Sequence, residues 1–139
     1  MKQRILVDLN VLLDVLAERQ PHYRSSAQIW SLAERGIVIG MVAADSFTTL
    51  HYLLRKISND KVARQGLLAV LAVFEIIDLD GQLIRRAIES DVRDFEDAVQ
   101  IESAARGMVD YIVTRDLKHF GKSHLPVRTP EEFLLTAKF

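Results

Sequence analysis

The 139-residue chain has no cysteine, one tryptophan, three prolines and six glycines. Without cysteine there is no disulfide, no thiolate metal site and no thiol nucleophile. So little proline and glycine, in a chain that is 49% hydrophobic and 27% charged, excludes a collagen-like or low-complexity polymer and argues against disorder. An excess of one charge is missing too. Lys and Arg number 18 against 19 Asp and Glu, so any nucleic-acid contact has to come from a local basic patch. No apolar run approaches the length needed to span a bilayer. Lys2 and Arg4 precede an apolar stretch, as in a secretory leader, but Asp8 and Asp14 break it and no small-residue cleavage site follows. The expectation is a cytoplasmic protein without membrane association, built as one domain over residues 1–139.

What is present is a run of short, β-branched apolar segments. RILVDL (4–9), IVIGMVA (37–43), FEIIDL (74–79) and DYIVTR (110–115) read as strands, and PVRTP (126–130) as a last short edge strand. Helical spacing covers 23–35, where Gly36 stops it, and then 47–57, 61–73 and 83–92. DFEDAVQIESAARG (94–107) opens on Asp94 with Asp97 three residues later, a start resembling a capping box, and closes on Gly107. Near-continuously apolar strands that alternate with helices predict an α/β domain, with a parallel sheet covered on both faces.

Within VDLNVLLDVL (7–16), an apolar run carries Asp8, Asn10 and Asp14. A buried carboxylate costs several kcal/mol unless something pairs with it. Ligands of open parallel sheets bind beyond the carboxyl ends of the strands, where strand order reverses. Asp8 ends the first strand, Asp116 follows DYIVTR, and Asp97 lies in the first turn of the helix before that strand. Converging carboxylates repel one another and call for a cation. Oxygen ligands with neither Cys nor a His pair favour Mg²⁺ or Mn²⁺. Each acid also has a plainer use. A single Asp at a strand end commonly caps or turns the chain, Asp94 suits an N-cap, and Asp97 suits the third position of a capping box. Asp14 suits a solvated or salt-bridged role, Asp78, Asp80 and Asp91 the surface, and Trp30 the core.

VDLNVLLDVL together with DFEDAVQIESAARGMVDYIVTRDLKHF resembles the opening and closing motifs of the PIN domain family, and the likeness spans most of the chain. It implies a three-layer α/β/α sandwich around a central parallel sheet. It also implies Mg²⁺- or Mn²⁺-dependent ribonuclease activity, frequently as the toxin of a bacterial toxin–antitoxin pair of the VapC type, whose antitoxin covers the site. By the resemblance Asp8, Asp97 and Asp116 match the first, third and fourth family acids, expected to hold the metal and carry catalysis. Asn10 and Thr114 match polar supporting positions. The second acid is the departure: in SFTTLHYLLRK (46–56), Thr49 stands where it would be. A hydroxyl can touch a metal-bound water but adds no charge, so the loss weakens metal binding. Asp45, Asp94 or Glu96 are the neighbours that can compensate, although Asp45 and Ser46 also suit N-cap roles.

Arg115, Lys118, Lys122 and Arg128, with His119 and His124, form a basic segment interrupted only by Asp116. Beside a carboxylate cluster this suits an RNA substrate, with Arg115, Lys118 and Lys122 as the RNA-binding cations and Arg55 and Lys56 extending them. It equally suits a solvated loop. His119 has no catalytic role in this reading. Two functions follow: a metal-dependent ribonuclease, or, because of Thr49, a binding module for RNA or protein that has lost its chemistry. A phosphatase forming an aspartyl-phosphate at Asp8 is disfavoured by Asn10, where such enzymes usually carry a second acid. A homodimer built on apolar faces around Leu50, Leu53 and Leu67 competes with a core role for those residues.

Overall fold

β1 (Arg4–Val7) is an alternating apolar segment with both faces covered. Ile5 and Val7 join one core cluster and Leu6 joins the other. In the computed structural model, which describes residues 1–136, it is the centre of a five-stranded sheet ordered β3-β2-β1-β4-β5. The other strands are β2 (Ile39–Ala43), β3 (Glu75–Ile77), β4 (Tyr111–Val113) and β5 (Val127–Arg128), and every pairing is parallel. The order runs outward from β1 in both directions, so the reversal point lies between β1 and β4.

All five expected strands are present, each shorter than its apolar run. The largest difference is at the start. β1 ends at Val7, and Asp8 becomes the N-cap of a helix, α1 (Leu9–Leu16), which had no place in the sequence reading. An apolar run with polar interruptions satisfies both periods, and Asp8 is the junction where the period changes. The five expected helices are α2 (Tyr23–Glu34), α3 (Ser46–Ile57), α4 (Asp60–Val73), α5 (Gly81–Glu89) and α6 (Phe95–Arg106). A short 3₁₀ turn (Leu117–Phe120) and α7 (Pro130–Thr136) complete the described chain.

α1, α2, α3, α4 and α7 pack on one face of the sheet, around Leu12, Ile29, Leu50, Val70 and Phe133. Phe74 closes this layer. Its ring meets Trp30 edge-on at 5.1 Å and covers Gly40, where an added Cβ would lie 2.6 Å from a ring carbon. α6 covers the other face through Ala104, with Met41, Ile77 and Ile112 from the sheet, and α5 packs on α6 through Leu83 and Ala87. This is the expected three-layer α/β/α sandwich. Leu50 is fully enclosed, and Leu53 and Leu67 pack against the same cluster, so the core uses the residues considered for a dimer contact. Gly107 does not end α6 in a left-handed turn: its φ is −73°, and the positive φ falls on Met108. Gly107 is needed instead for close approach, since a Cβ there would meet Ile77 Cδ1 at 2.7 Å. Among the described residues no helix is long and apolar enough to cross a membrane.

Candidate active site

Helix capping and sheet order together place the acids. Asp8 follows β1 directly, and its Oδ1 accepts from the Leu9 amide. Thr114, one residue beyond β4, is fully buried and donates its hydroxyl to Asp8 Oδ2 at 2.7 Å. The same Thr114 oxygen accepts from the Asp116 amide at 3.0 Å and from Asn10 Nδ2 at 3.4 Å, while Asn10 Oδ1 accepts from the Arg115 amide. The ends of β1 and β4 are therefore tied together at the reversal point of the sheet, with Asp8 and Asp116 on either side of Thr114. Asp97 arrives on the first turn of α6. Asp94 is the N-cap of that helix, its Oδ1 accepting from the Asp97 amide at 2.9 Å, so Asp94 fixes the turn that presents Asp97.

Asp8, Asp97 and Asp116 line one cleft of about 340 Å³ at the carboxyl end of the sheet. Asn10 and Thr49 line it too, with Glu96 and Arg19. Thr114, Asp94, Arg115, Lys118 and Lys122 lie outside its lining. Burial pushes the Asp8 carboxyl above its ordinary range, and nearby Asp97 adds to this. The hydrogen bonds from Thr114 and Leu9 and the charge of His119 pull the other way.

His119, placed in the basic segment from sequence but given no catalytic role, bridges two of the acids. Its Nδ1 lies 3.0 Å from Asp97 Oδ1 and its Nε2 2.8 Å from Asp116 Oδ2. The Asp97 hydrogen bond, together with the charges of Asp97, Asp116 and Asp8, raises its pKa above the ordinary imidazole value. The signal was readable: His119 lies three residues after Asp116, one turn on.

The donor chemistry of Asp8, Asp97 and Asp116 fits a hard divalent cation. With the side chains as they stand, no three His, Asp or Glu among the described residues are grouped as the ligands of one ion. The His119 ring lies between Asp97 and Asp116 and pairs with both.

Three further cleft residues were missed or misjudged. Asp45 sits at the start of α3 but makes no capping hydrogen bond with its side chain. Both its oxygens instead accept from Gln100 Nε2, at 3.1 and 3.3 Å, and burial raises its pKa. Gln100 is on α6, and no local pattern links it to a residue 55 positions away. Arg19 lines the cleft from the loop after α1.

The basic segment is less uniform than its sequence. Arg115 turns inward, its Nε 2.6 Å from Oδ2 of Asp14, which is fully buried and also accepts from Ser26 Oγ. The partly buried Arg115 head is thus engaged in an ion pair with Asp14. Asp14 takes the salt-bridged role. The Arg128 guanidinium lies over the Tyr111 ring at 5.5 Å. Lys118 is exposed on the 3₁₀ turn, and Lys122 Nζ lies 4.0 Å from Asp91.

A PIN domain family model matches residues 4–118. Ribonuclease VapC1 of Aquifex aeolicus (strain VF5) is 29% identical over 136 residues, covering 94% of this chain and 93% of that protein. The fold is similar to Rickettsia felis VapBC2 bound to a DNA fragment from their promoter, with a TM-score of 0.68, 14% identity and coverage of 91% of this chain and 98% of that one. It is also similar to Mycobacterium tuberculosis VapC20, a sarcin-ricin loop cleaving toxin, with a TM-score of 0.67, 15% identity and coverage of 84% and 95%.

Proposed function

The chain belongs to the PIN domain family, and on that premise we propose that it is a divalent-metal-dependent ribonuclease, the toxin of a toxin–antitoxin pair. The observation that carries this reading is the single cleft lined by Asp8, Asp97 and Asp116 at the reversal point of the sheet. The relative named as a ribonuclease and the neighbours named as VapC proteins support the class of reaction.

Asp8, Asp97 and Asp116 would hold Mg²⁺ or Mn²⁺, with the His119 ring giving way. When bound, such an ion lowers the pKa of a coordinated water and offsets charge on a phosphodiester oxygen. Thr114 keeps Asp8 and Asp116 in register, and Asn10 holds the Arg115 backbone between them. Arg19 at the cleft, with Lys118 and Lys122 on the neighbouring loop, anchors the RNA backbone. An antitoxin would act by covering this cleft, and the R. felis neighbour named as a VapBC assembly supports a partner of that kind.

The test is digestion of mixed cellular RNA by purified protein with Mn²⁺, with EDTA, and with Asp116→Asn. Cleavage that needs metal and falls by about 100-fold or more in the variant supports the reading. Undiminished cleavage by Asp116→Asn contradicts it. Thr49 favours the binding-module alternative, and RNA binding by a wild type that never cuts would establish that instead.

A further inference from the structure

Resting on the metal-dependent reading above, we propose that Asp45 supplies the acidic ligand that the family pattern places at Thr49, displaced one helical turn toward the start of α3. Asp45 and Thr49 are four residues apart, share a face of the α3 entrance, and both line the cleft. Asp45 occupies an N-cap position without serving as the cap: its backbone is helical at φ −67° and ψ −18°, and its side chain accepts nothing from the helix start. No cation pairs with it among the described residues. A half-buried carboxylate spent neither on capping nor on an ion pair costs stability.

Gln100 supplies the second observation. It is buried to 9% exposure, and its Nε2 donates to both Asp45 oxygens and to Ser46 Oγ. Its own Oε1 is buried without a partner. That leaves an unsatisfied amide oxygen on a residue of the cleft wall, while its amide nitrogen is spent on Asp45 and Ser46. Gln100 lies three residues after Asp97 on α6, so one helix face carries a family acid and the group that aims Asp45. Amide donation to a carboxylate from behind is how an outer group orients a ligand toward a metal. The Thr49 hydroxyl then faces the site as a neutral contact, and the charge missing there is restored from one turn earlier.

The experiment is calorimetric titration of Mn²⁺ into wild type, Asp45→Asn, Asp45→Asn/Thr49→Glu and Asp116→Asn. Asp78→Asn removes the same charge from an exposed site outside the cleft. Metal-free melting curves are recorded for each. Asp45→Asn should bind Mn²⁺ at least about tenfold more weakly, with its metal-free melting unchanged or raised. Adding Thr49→Glu should recover most of that loss, and Asp78→Asn should match wild type. Asp45→Asn binding like wild type while Asp116→Asn does not bind would overturn this inference and leave the ribonuclease reading standing. A weakened Asp45→Asn that also melts lower, with no recovery from Thr49→Glu, would make Asp45 a fold residue and likewise overturn it. No binding by wild type, or equal binding by Asp116→Asn, would remove both.

Discussion

Asp8 is held in a state that disfavours its own charge. Its folded pKa lies above the ordinary carboxylate value of 3.8 because burial outweighs the Thr114 and Leu9 hydrogen bonds. The folded protein therefore binds that proton more tightly than the unfolded chain does. Stability falls as pH rises from 3.8 through the folded value, and at neutral pH the ionised group is a cost. Asp8→Asn should accordingly melt higher than wild type in EDTA at pH 7 while losing Mn²⁺ binding, a trade of stability for function that paired melting and calorimetry can read. His119 has the opposite sign. Its pKa is raised above 6.5 by Asp97, so its contribution is complete below 6.5 and disappears as pH rises through the higher folded value. In metal-free protein, His119→Ala should flatten that part of the melting profile and tighten Mn²⁺ binding near pH 6, because no imidazolium then competes for Asp97 and Asp116. Asp8 was legible as a candidate cleft residue because a carboxylate in an apolar run needs a partner. Asp45 was legible only as a possibility at a helix start, since Gln100 meets it only after folding.

At the scale of elements, the Asp14–Arg115 ion pair joins α1 to the loop that carries Asp116. Arg115 lies between Thr114 and Asp116, so the pair holds the end of β4 against the helix that Asp8 caps. Removing Arg115 leaves the fully buried Asp14 charge alone, and Arg115→Ala should cost about 3–5 kcal/mol in urea denaturation. Replacing both partners, as in Asp14→Leu/Arg115→Met, should recover much of that loss. Gly40→Ala tests the α/β packing in the same way. The added Cβ would press on the Phe74 ring and on Ala33 at 3.0 Å, and about 1–3 kcal/mol should be lost. The strands were readable from β-branched apolar runs, and α2 to α6 from their periodicity and stops. α1 was not, because four strand residues pass into helix at Asp8 without a turn signal. The Arg115 pairing was unreadable as well: a cation in a basic run looks solvated until the fold brings a buried acid to it.

At the scale of the molecule, a chain of net charge −1 offers RNA no general attraction, so binding must depend on few cations. Lys118→Ala/Lys122→Ala should weaken RNA binding and reduce the salt slope of log K by about 1.4–1.8, whereas unchanged slopes would place the RNA elsewhere. The parallel sheet supplies the rest. Its reversal point brings Asp8 and Asp116 to the same edge, and α6 on the opposite layer adds Asp97. The proposed chemistry requires this cleft to hold the metal. The most direct measurement is an anomalous difference map from crystals grown with Mn²⁺. The expected outcome is a peak contacted by Asp8, Asp97 and Asp116, with the His119 ring turned out from between the last two. A Mn²⁺ peak elsewhere, with His119 still bridging Asp97 and Asp116, would contradict it.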